Sequence, residues 1–283
     1  MVKNYTMKNP GNYFYKLSDG NERMGGYEIP QTSFNGPDTK VLFKKNLKTK
    51  PIDWHYRTKE ITYHLNSYRY RQMEEIPDDD FILFLGCSHT FGVGLANDEI
   101  YCKLVADKLQ MPYVNAGAGA AGRYLNTMNL TKMLRAGAKP ALVINQWPSW
   151  GRTFLITPRQ EIMCLGPWIV NDARNKELNI RWDDRLSSFY KSWVESNRHD
   201  IESEYYVNNA RLLLESNDIP YVEFGFYSSP NQVKDISELS GIECISLDSE
   251  FIVDFARDDM HLGPKTHENL AEFVCSRLPQ GYK

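Results

Sequence analysis

The sequence predicts an α/β protein: a three-layer α/β/α sandwich around a parallel sheet of about five strands. Three observations predict it. Short, uninterrupted apolar runs alternate with stretches whose apolar residues recur at helical spacing. The first run, FILFLG (81–86), ends in glycine, as a strand buried on both faces should. The alternation then continues from Phe81 to the carboxyl end with no internal repeat or low-complexity tract.

After FILFLG, Asn97-Asp98-Glu99 opens a helical stretch over IYCKLVADKLQ (100–110). PYVNAG (112–117) is the second strand, and YLNTMNLTKMLRAG (124–137) is a helix ending at Gly137. ALVINQW (141–147) is the third strand. Helices near 184–196 and 200–216 follow, the latter stopping at Asn217 before a fourth strand, IPYVEFGFY (219–227). CISL (244–247) is a short fifth strand and ENLAEFVCSRL (268–278) a closing helix. Residues 148–181 form a long insertion containing two strand-like pieces, TFLIT and PWIV. Connections in such folds usually run about 2–6 residues, and long ones tend to be lids or binding loops. Trp147, Trp150, Trp168 and Trp182 lie in or beside this one.

Residues 1–78 differ in composition, being rich in Tyr, Asn, Lys and Gly. Their best-ordered part is EITYHLNSYRYR (60–71), where Ile61, Tyr63 and Leu65 alternate with polar residues at strand period. They read as an extended arm or small cap, and residues 79–283 as the main domain with 148–181 as its lid. The 283 residues are 42% apolar and 24% charged, ordinary for a globular protein. A net charge of −3 gives no basic face for nucleic acid or an anionic membrane. No apolar run approaches the roughly 20 residues that span a bilayer. The amino terminus lacks the apolar core of a secretory signal, so a cytoplasmic protein is expected unless another route, such as a virus particle, releases it. The five cysteines, Cys87, Cys102, Cys164, Cys244 and Cys275, form no CxxC pair and read as reduced thiols, mostly buried.

Two segments carry chemistry. Gly86-Cys87-Ser88-His89-Thr90-Phe91-Gly92 follows the first strand, and ligands of open parallel sheets bind beyond the carboxyl ends of the strands. Ser88 or Thr90 would also suit a plain helix cap there. Near the other end, Asp258 and His261 stand three residues apart. A serine hydroxyl needs a base, and the base works best when a carboxylate fixes its tautomer. One turn of chain could carry both, with Gly263-Pro264 starting the helix beyond. A surface DDxH turn is the plainer alternative.

Together these segments resemble the SGNH (GDSL-like) hydrolase family. Its first block reads Gly-x-Ser-x-Thr-x-Gly, which residues 86–92 satisfy at every fixed position, with Cys87 where the family usually has Asp. Its last block reads Asp-x-x-His, met by Asp258 and His261. The resemblance covers about residues 79–280 and implies a flavodoxin-like sheet order, a Ser88–His261–Asp258 triad and an acyl-enzyme intermediate. It also implies an oxyanion donor in the loop Asn115-Ala-Gly-Ala-Gly-Ala-Ala-Gly122, at Gly119 or Ala120. The third block, usually Gly-x-Asn-Asp, is replaced by Ile144-Asn145-Gln146-Trp147, where Asn145 or Gln146 could donate instead. Losing one such donor typically costs about 2.7–4 kcal/mol in the transition state.

The function this implies is ester hydrolysis, with an acetylated carbohydrate as leading substrate and no cofactor. Two alternatives stay open: an acyltransferase of the same fold, and a non-catalytic glycan-binding or assembly protein. Trp147, Trp150 and Trp168 are candidate substrate contacts, although tryptophans in a long loop also build its private core. His89 neighbours Ser88 and is expected to point elsewhere. His267, with Asp258 and Asp259, could suggest a metal, but tight zinc-ligand spacing is absent and none is expected. His55, His64 and His199 read as surface or satisfied residues.

Overall fold

The computed structural model describes residues 13–18, 31–71, 76–78, 80–149, 151–170, 184–196, 198–227, 241–247 and 249–282. In the amino-terminal region, β1 (Gln31–Thr32) pairs antiparallel with β2 (Tyr63–His64), so only two residues of the alternating EITYHL run are strand. Between them lies a helix not anticipated from the sequence, α1 (Lys40–Thr49), whose first turn is capped by the Thr39 hydroxyl accepting from the Leu42 N–H.

Five parallel strands form the centre: β3 (Ile82–Gly86), β4 (Tyr113–Gly117), β5 (Leu142–Trp147), and the later β8 and β9. A hairpin in the insertion intervenes, β6 (Thr153–Ile156) with β7 (Ile162–Leu165), and then β8 (Tyr221–Tyr227) and β9 (Glu243–Ser246) complete the sheet. Its order is β4-β3-β5-β8-β9. The first strand thus lies between the second and third, and the chain crosses over in opposite directions on its two sides. That switch point puts the ligand crevice at the carboxyl ends of β3 and β5.

Helices cover both faces because the strands alternate between them. Leu83, Leu85, Val143 and Trp147 face α4 (Arg123–Arg135) and α6 (Arg198–Ser216), which supply Leu125, Leu130, Met133, Val207 and Leu214. Ile82, Phe84, Leu142, Ile144 and Phe224 face α3 (Tyr101–Leu109) and α7 (Pro264–Ser276), which supply Val105, Leu270 and Val274. Between β3 and α3 is the single turn α2 (Ser88–Phe91), and α5 (Asp184–Glu195) follows the insertion. Each fully buried aliphatic side chain contributes about 1.5–3 kcal/mol, so both layers are firmly attached to the sheet.

The amino-terminal segment is woven into both layers. Tyr13, Phe14 and Tyr70 are buried with the α4 side, and Tyr56, Ile61 and Tyr63 with the α3 side. Residues 16–18 also hydrogen-bond beside β7, Ile162 N–H to Lys16 O and Ser18 N–H to Ile162 O. In the insertion, TFLI is a strand as read from sequence, but PWIV is a 3-10 turn (Pro167–Val170). Proline lacks the ladder donor, and the partner of β6 is IMCL instead. Leu165, Ile169, Tyr190 and Trp193 form a small separate core here. No helix among the described residues is long and apolar enough to cross a membrane.

Candidate active site

Ser88 is the first residue of α2, directly beyond β3, with its backbone N–H among the first-turn donors a helix leaves unpaired. The turn is tight. A Cβ on Gly86 would stand 2.0 Å from Thr90 Oγ1, so only glycine lets α2 fold back over the strand end. Gln146, on the neighbouring β5, fastens this turn: its Oε1 accepts from the Cys87 N–H at 3.0 Å and from Thr90 Oγ1 at 3.2 Å. Its Nε2 donates to Trp147 O at 2.8 Å, so Gln146 shapes the turn where the sequence suggested a third oxyanion donor.

Asp258 and His261 come from the tight loop between Phe255 and Leu262, which bridge antiparallel, with Ala256 N–H donating to His261 O at 2.8 Å. His261 Nδ1 lies 2.6 Å from Asp258 Oδ2, and the backbone N–H groups of His261 and Met260 donate to Oδ1 at 3.0 and 3.1 Å. Burial, the largest single influence, opposes ionisation of Asp258. The His261 ring and these N–H groups together outweigh it and hold the carboxyl below its usual range. Asp259 points its charge elsewhere, to Lys50 at 2.5 Å.

The two loops touch through their backbones. Arg257 N–H donates to Gly94 O at 3.1 Å. A Cβ on Gly94 (φ +78°) would lie 2.7 Å from Ala256 Cβ and 3.4 Å from Asp258 N. The Ser88 hydroxyl donates to Cys87 Sγ at 4.0 Å and makes no hydrogen bond to the His261 ring. Catalytic hydrogen bonds are often long or open before substrate binds. His89, expected to point away, instead has its ring centroid 5.4 Å from that of His261 and 5.1 Å from that of Phe226. Burial first, then the charges of His261, His267 and Arg152, depress its proton affinity, so His89 is neutral.

The loop after β4 lies against α2, where a Cβ on Gly117 would meet Phe91 N at 2.5 Å. Ala118 N–H donates to Gly86 O and Ala121 N–H to Ala118 O, both at 3.1 Å, closing a turn over Gly119 and Ala120. Gly119 is exposed, and Ala120 takes the left-handed φ of +64°, a conformation that costs an alanine about 1 kcal/mol or more. Their N–H groups make no hydrogen bond to the described residues. Asn145 stands opposite Leu85 in the sheet, and its carbonyl accepts from Asn126 Nδ2 at 2.7 Å. Its own Nδ2 is buried and unpaired in the layer under α4, below the level of Ser88.

The tryptophans divide differently from expectation. Trp147 is fully buried, with Nε1 donating to Glu223 at 3.0 Å, and belongs to the core. Trp168 is half-buried: Gly166 lies flush on its six-membered ring, and the Arg152 guanidinium sits over the indole at 5.6 Å. Trp150 and Trp182 fall outside the described residues.

The remaining candidates are structural. His267 is buried, its Nδ1 accepting from Tyr101 N–H at 3.0 Å, and burial with the Arg71 and His261 charges lowers its pKa to about 3. His55 Nε2 lies 2.5 Å from Glu99. No group of three potential metal ligands occurs among the described residues. No cysteine forms a disulfide; Cys87 and Cys102 are buried and the other three half-buried.

What the sequence did not reveal is the bracing of these loops by the amino-terminal segment. Arg257, next to Asp258, makes a buried ion pair with Asp38 at 2.7 Å. Tyr63 OH donates to the same carboxylate at 2.6 Å and accepts from Gly94 N–H at 2.7 Å. Arg71 donates to the carbonyls of Phe91, Gly92 and Leu95. Asn46 Nδ2 donates to Arg257 O at 3.0 Å.

No family model matches the sequence, and no curated protein matches it. Solved structures do match. An acetyl xylan esterase from the rumen bacterium Butyrivibrio proteoclasticus is 12% identical, with a TM-score of 0.40, over 76% of this chain and 68% of its own. A member of the lipolytic protein G-D-S-L family from Veillonella parvula is 12% identical, with a TM-score of 0.38, over 71% of this chain and 100% of its own. AlinE4, an SGNH-hydrolase family esterase, is 16% identical, with a TM-score of 0.36, over 72% and 100%. All three are named as esterases or lipolytic proteins, and each shares 12–16% identity with this chain at a TM-score of 0.36–0.40.

Proposed function

We propose that this chain is a serine-dependent ester hydrolase of the SGNH type. The observation that carries the reading is the His261–Asp258 pair, 2.6 Å apart and held by backbone donors, on a loop tied to the one that follows Ser88. Asp258 accepts from Nδ1–H, which leaves Nε2 as the base. His261 takes the Ser88 proton as Oγ bonds to the ester carbonyl carbon. The oxyanion is met by the N–H of Ser88 and that of Gly119 or Ala120. Collapse breaks the ester C–O bond and His261 returns the proton to the departing alcohol, leaving an acyl-Ser88. Water, deprotonated by His261, then releases the acid and restores the serine.

The motif resemblance of residues 86–92 and 258–261 supports an acetylated carbohydrate as substrate. The open Ser88–His261 contact and the engaged Gln146 favour a second reading, a glycan-binding protein that keeps the fold without turnover.

Labelling of the full chain with a fluorophosphonate, mapped by mass spectrometry, separates the two. Labelling at Ser88, lost in Ser88→Ala and lowered in His261→Ala, is the expected result. With Asp258→Asn, turnover should fall by about 10⁴-fold as the base loses its tautomer. An unlabelled, folded wild type selects the binder, and turnover by purified Ser88→Ala removes the serine mechanism.

A further inference from the structure

The buried Arg71 and Arg257 are each held by several acceptors, although Arg71 Nε is itself unpaired. Arg71 reaches three backbone carbonyls, and Arg257 has the Asp38 carboxylate and the Ser33 carbonyl. Arg152 has neither arrangement. It is half-buried on the loop just beyond β5, at the sheet's switch point. Its Nη1 donates to Ala121 O at 2.9 Å and its guanidinium lies over the Trp168 ring. Its Nε is buried with no partner, and no carboxylate of the described residues lies within ion-pair distance.

The position of this cation is as informative as its surplus of donors. Ala121 closes the turn that holds the Gly119 and Ala120 amides, and a Cβ on Gly122 would stand 3.1 Å from Arg152 Cβ. The arginine is therefore anchored to the same turn as the candidate oxyanion donors. Its charge is also felt at His89, which is next to Ser88 and packed near His261. A guanidinium fixed on one edge by a carbonyl and on one face by an indole, with Nε buried, leaves Nη2 and the second Nη1–H as a planar fork. Such a fork matches a carboxylate bidentately.

We propose that Arg152 recognises a carboxylate carried by the substrate, so that the ester taken is an acidic one, an acylated uronic acid being the sugar form of that chemistry. This rests on the reading of the crevice as an ester-hydrolase site. Trp168 is then the support of the arginine, not a stacking platform for a sugar ring.

The test uses D-galacturonate, acetate and neutral D-galactose as probes of the full-length protein. Binding is followed through the Arg152 Nε–H resonance, and inhibition through hydrolysis of p-nitrophenyl acetate. Galacturonate should shift the resonance saturably and inhibit competitively, with both effects weakened by salt, while galactose does neither. An equal effect of acetate also supports the carboxylate site but removes the sugar from it. Arg152→Gln should weaken galacturonate binding by about tenfold or more, and Arg152→Lys, which keeps charge without the fork, by less. Hydrolysis of the small neutral ester should fall far less than galacturonate affinity. Galactose binding as well as galacturonate, unchanged binding in both variants, or no saturable shift in wild type would overturn the assignment. The titration needs no turnover, so a chain that binds galacturonate through Arg152 but leaves Ser88 unlabelled would refute the hydrolase reading alone.

Discussion

Asp38→Asn should be among the most damaging single changes outside Ser88, Asp258 and His261. Asp38 and Arg257 are 1% and 4% exposed, and their ion pair at 2.7 Å is joined by the Tyr63 hydroxyl. Asparagine keeps the shape and can still accept from Tyr63 and Nη2, but it loses the charge and turns an NH2 donor toward Nε of the buried guanidinium. Breaking such a pair from one side costs about 3–5 kcal/mol, because the partner stays buried without its counter-charge. Phe34 and Phe43 stack on that guanidinium at 4.5 and 5.2 Å and cannot replace the carboxylate. The lower end, about 3 kcal/mol, is expected, a large share of the 5–15 kcal/mol typical of whole domains. Urea unfolding followed by tryptophan fluorescence measures it. Adding Arg257→Met removes the stranded charge, so Asp38→Asn/Arg257→Met should be more stable than the sum of the single losses. Because Arg257 adjoins Asp258, kcat/KM on p-nitrophenyl acetate, taken well below the melting temperature, should also drop in Asp38→Asn. A loss under about 1 kcal/mol, or strict additivity in the double variant, would refute the claim that this pair braces the acid–base loop.

Gln146→Leu leaves the Cys87 N–H without its acceptor and should cost about 1–3 kcal/mol while slowing fluorophosphonate labelling; an unchanged labelling rate would separate Gln146 from the shape of the turn. Cys87→Ala should keep most activity, and iodoacetamide should spare the wild type, since the thiol is 2% exposed; inactivation mapped to Cys87 would make this a cysteine enzyme. Stability should fall on acidification, because His267 titrates at about 3 when folded against about 6.5 unfolded, so the unfolded chain binds the extra proton between those values. From pH 6.5 to pH 5 that one group removes about 2 kcal/mol, and His267→Gln, which can still accept from the Tyr101 N–H, should flatten the slope measured by urea titration at each pH.

The sheet was legible because its strands are buried on both faces and therefore read as unbroken apolar runs. FILFLG, ALVINQW and YVEFGFY leave little choice but strand, and the helices between them carry apolar residues at helical spacing. Helix α1 was not legible, because KVLFKKNLKT has few apolar residues, and Val41 among them is 77% exposed. Apart from Phe43, which packs against the core, its attachment is made by polar groups, Asn46 to Arg257 O and Arg57 to the carbonyls of Leu47 and Lys50. Binary pattern detects burial of apolar surface and is blind to a helix anchored by hydrogen bonds.

The same distinction explains the site. Ser88, Asp258 and His261 were readable as types at fixed local spacing, since a strand-end serine and an Asp-x-x-His turn are short-range features. The side chains that hold those loops in place sit far away in sequence: Gln146 is 59 residues from Cys87, and Asp38 is 219 from Arg257. No spacing rule links an aspartate in a lysine-rich arm to an arginine beside Asp258. Arg152 was hidden for a related reason, because an arginine in a polar loop draws notice only once its missing counter-charge can be seen in three dimensions. The amino-terminal arm is therefore best understood by what it grips. Its charged and hydroxyl groups converge on residues 91–95 and on Arg257, in the segments that follow Ser88 and carry Asp258. A chain cut at about residue 79 would keep every motif and lose Asp38, Tyr63 and Arg71 together, leaving the Arg257 guanidinium without its counter-charge beside the carboxylate that holds the His261 ring.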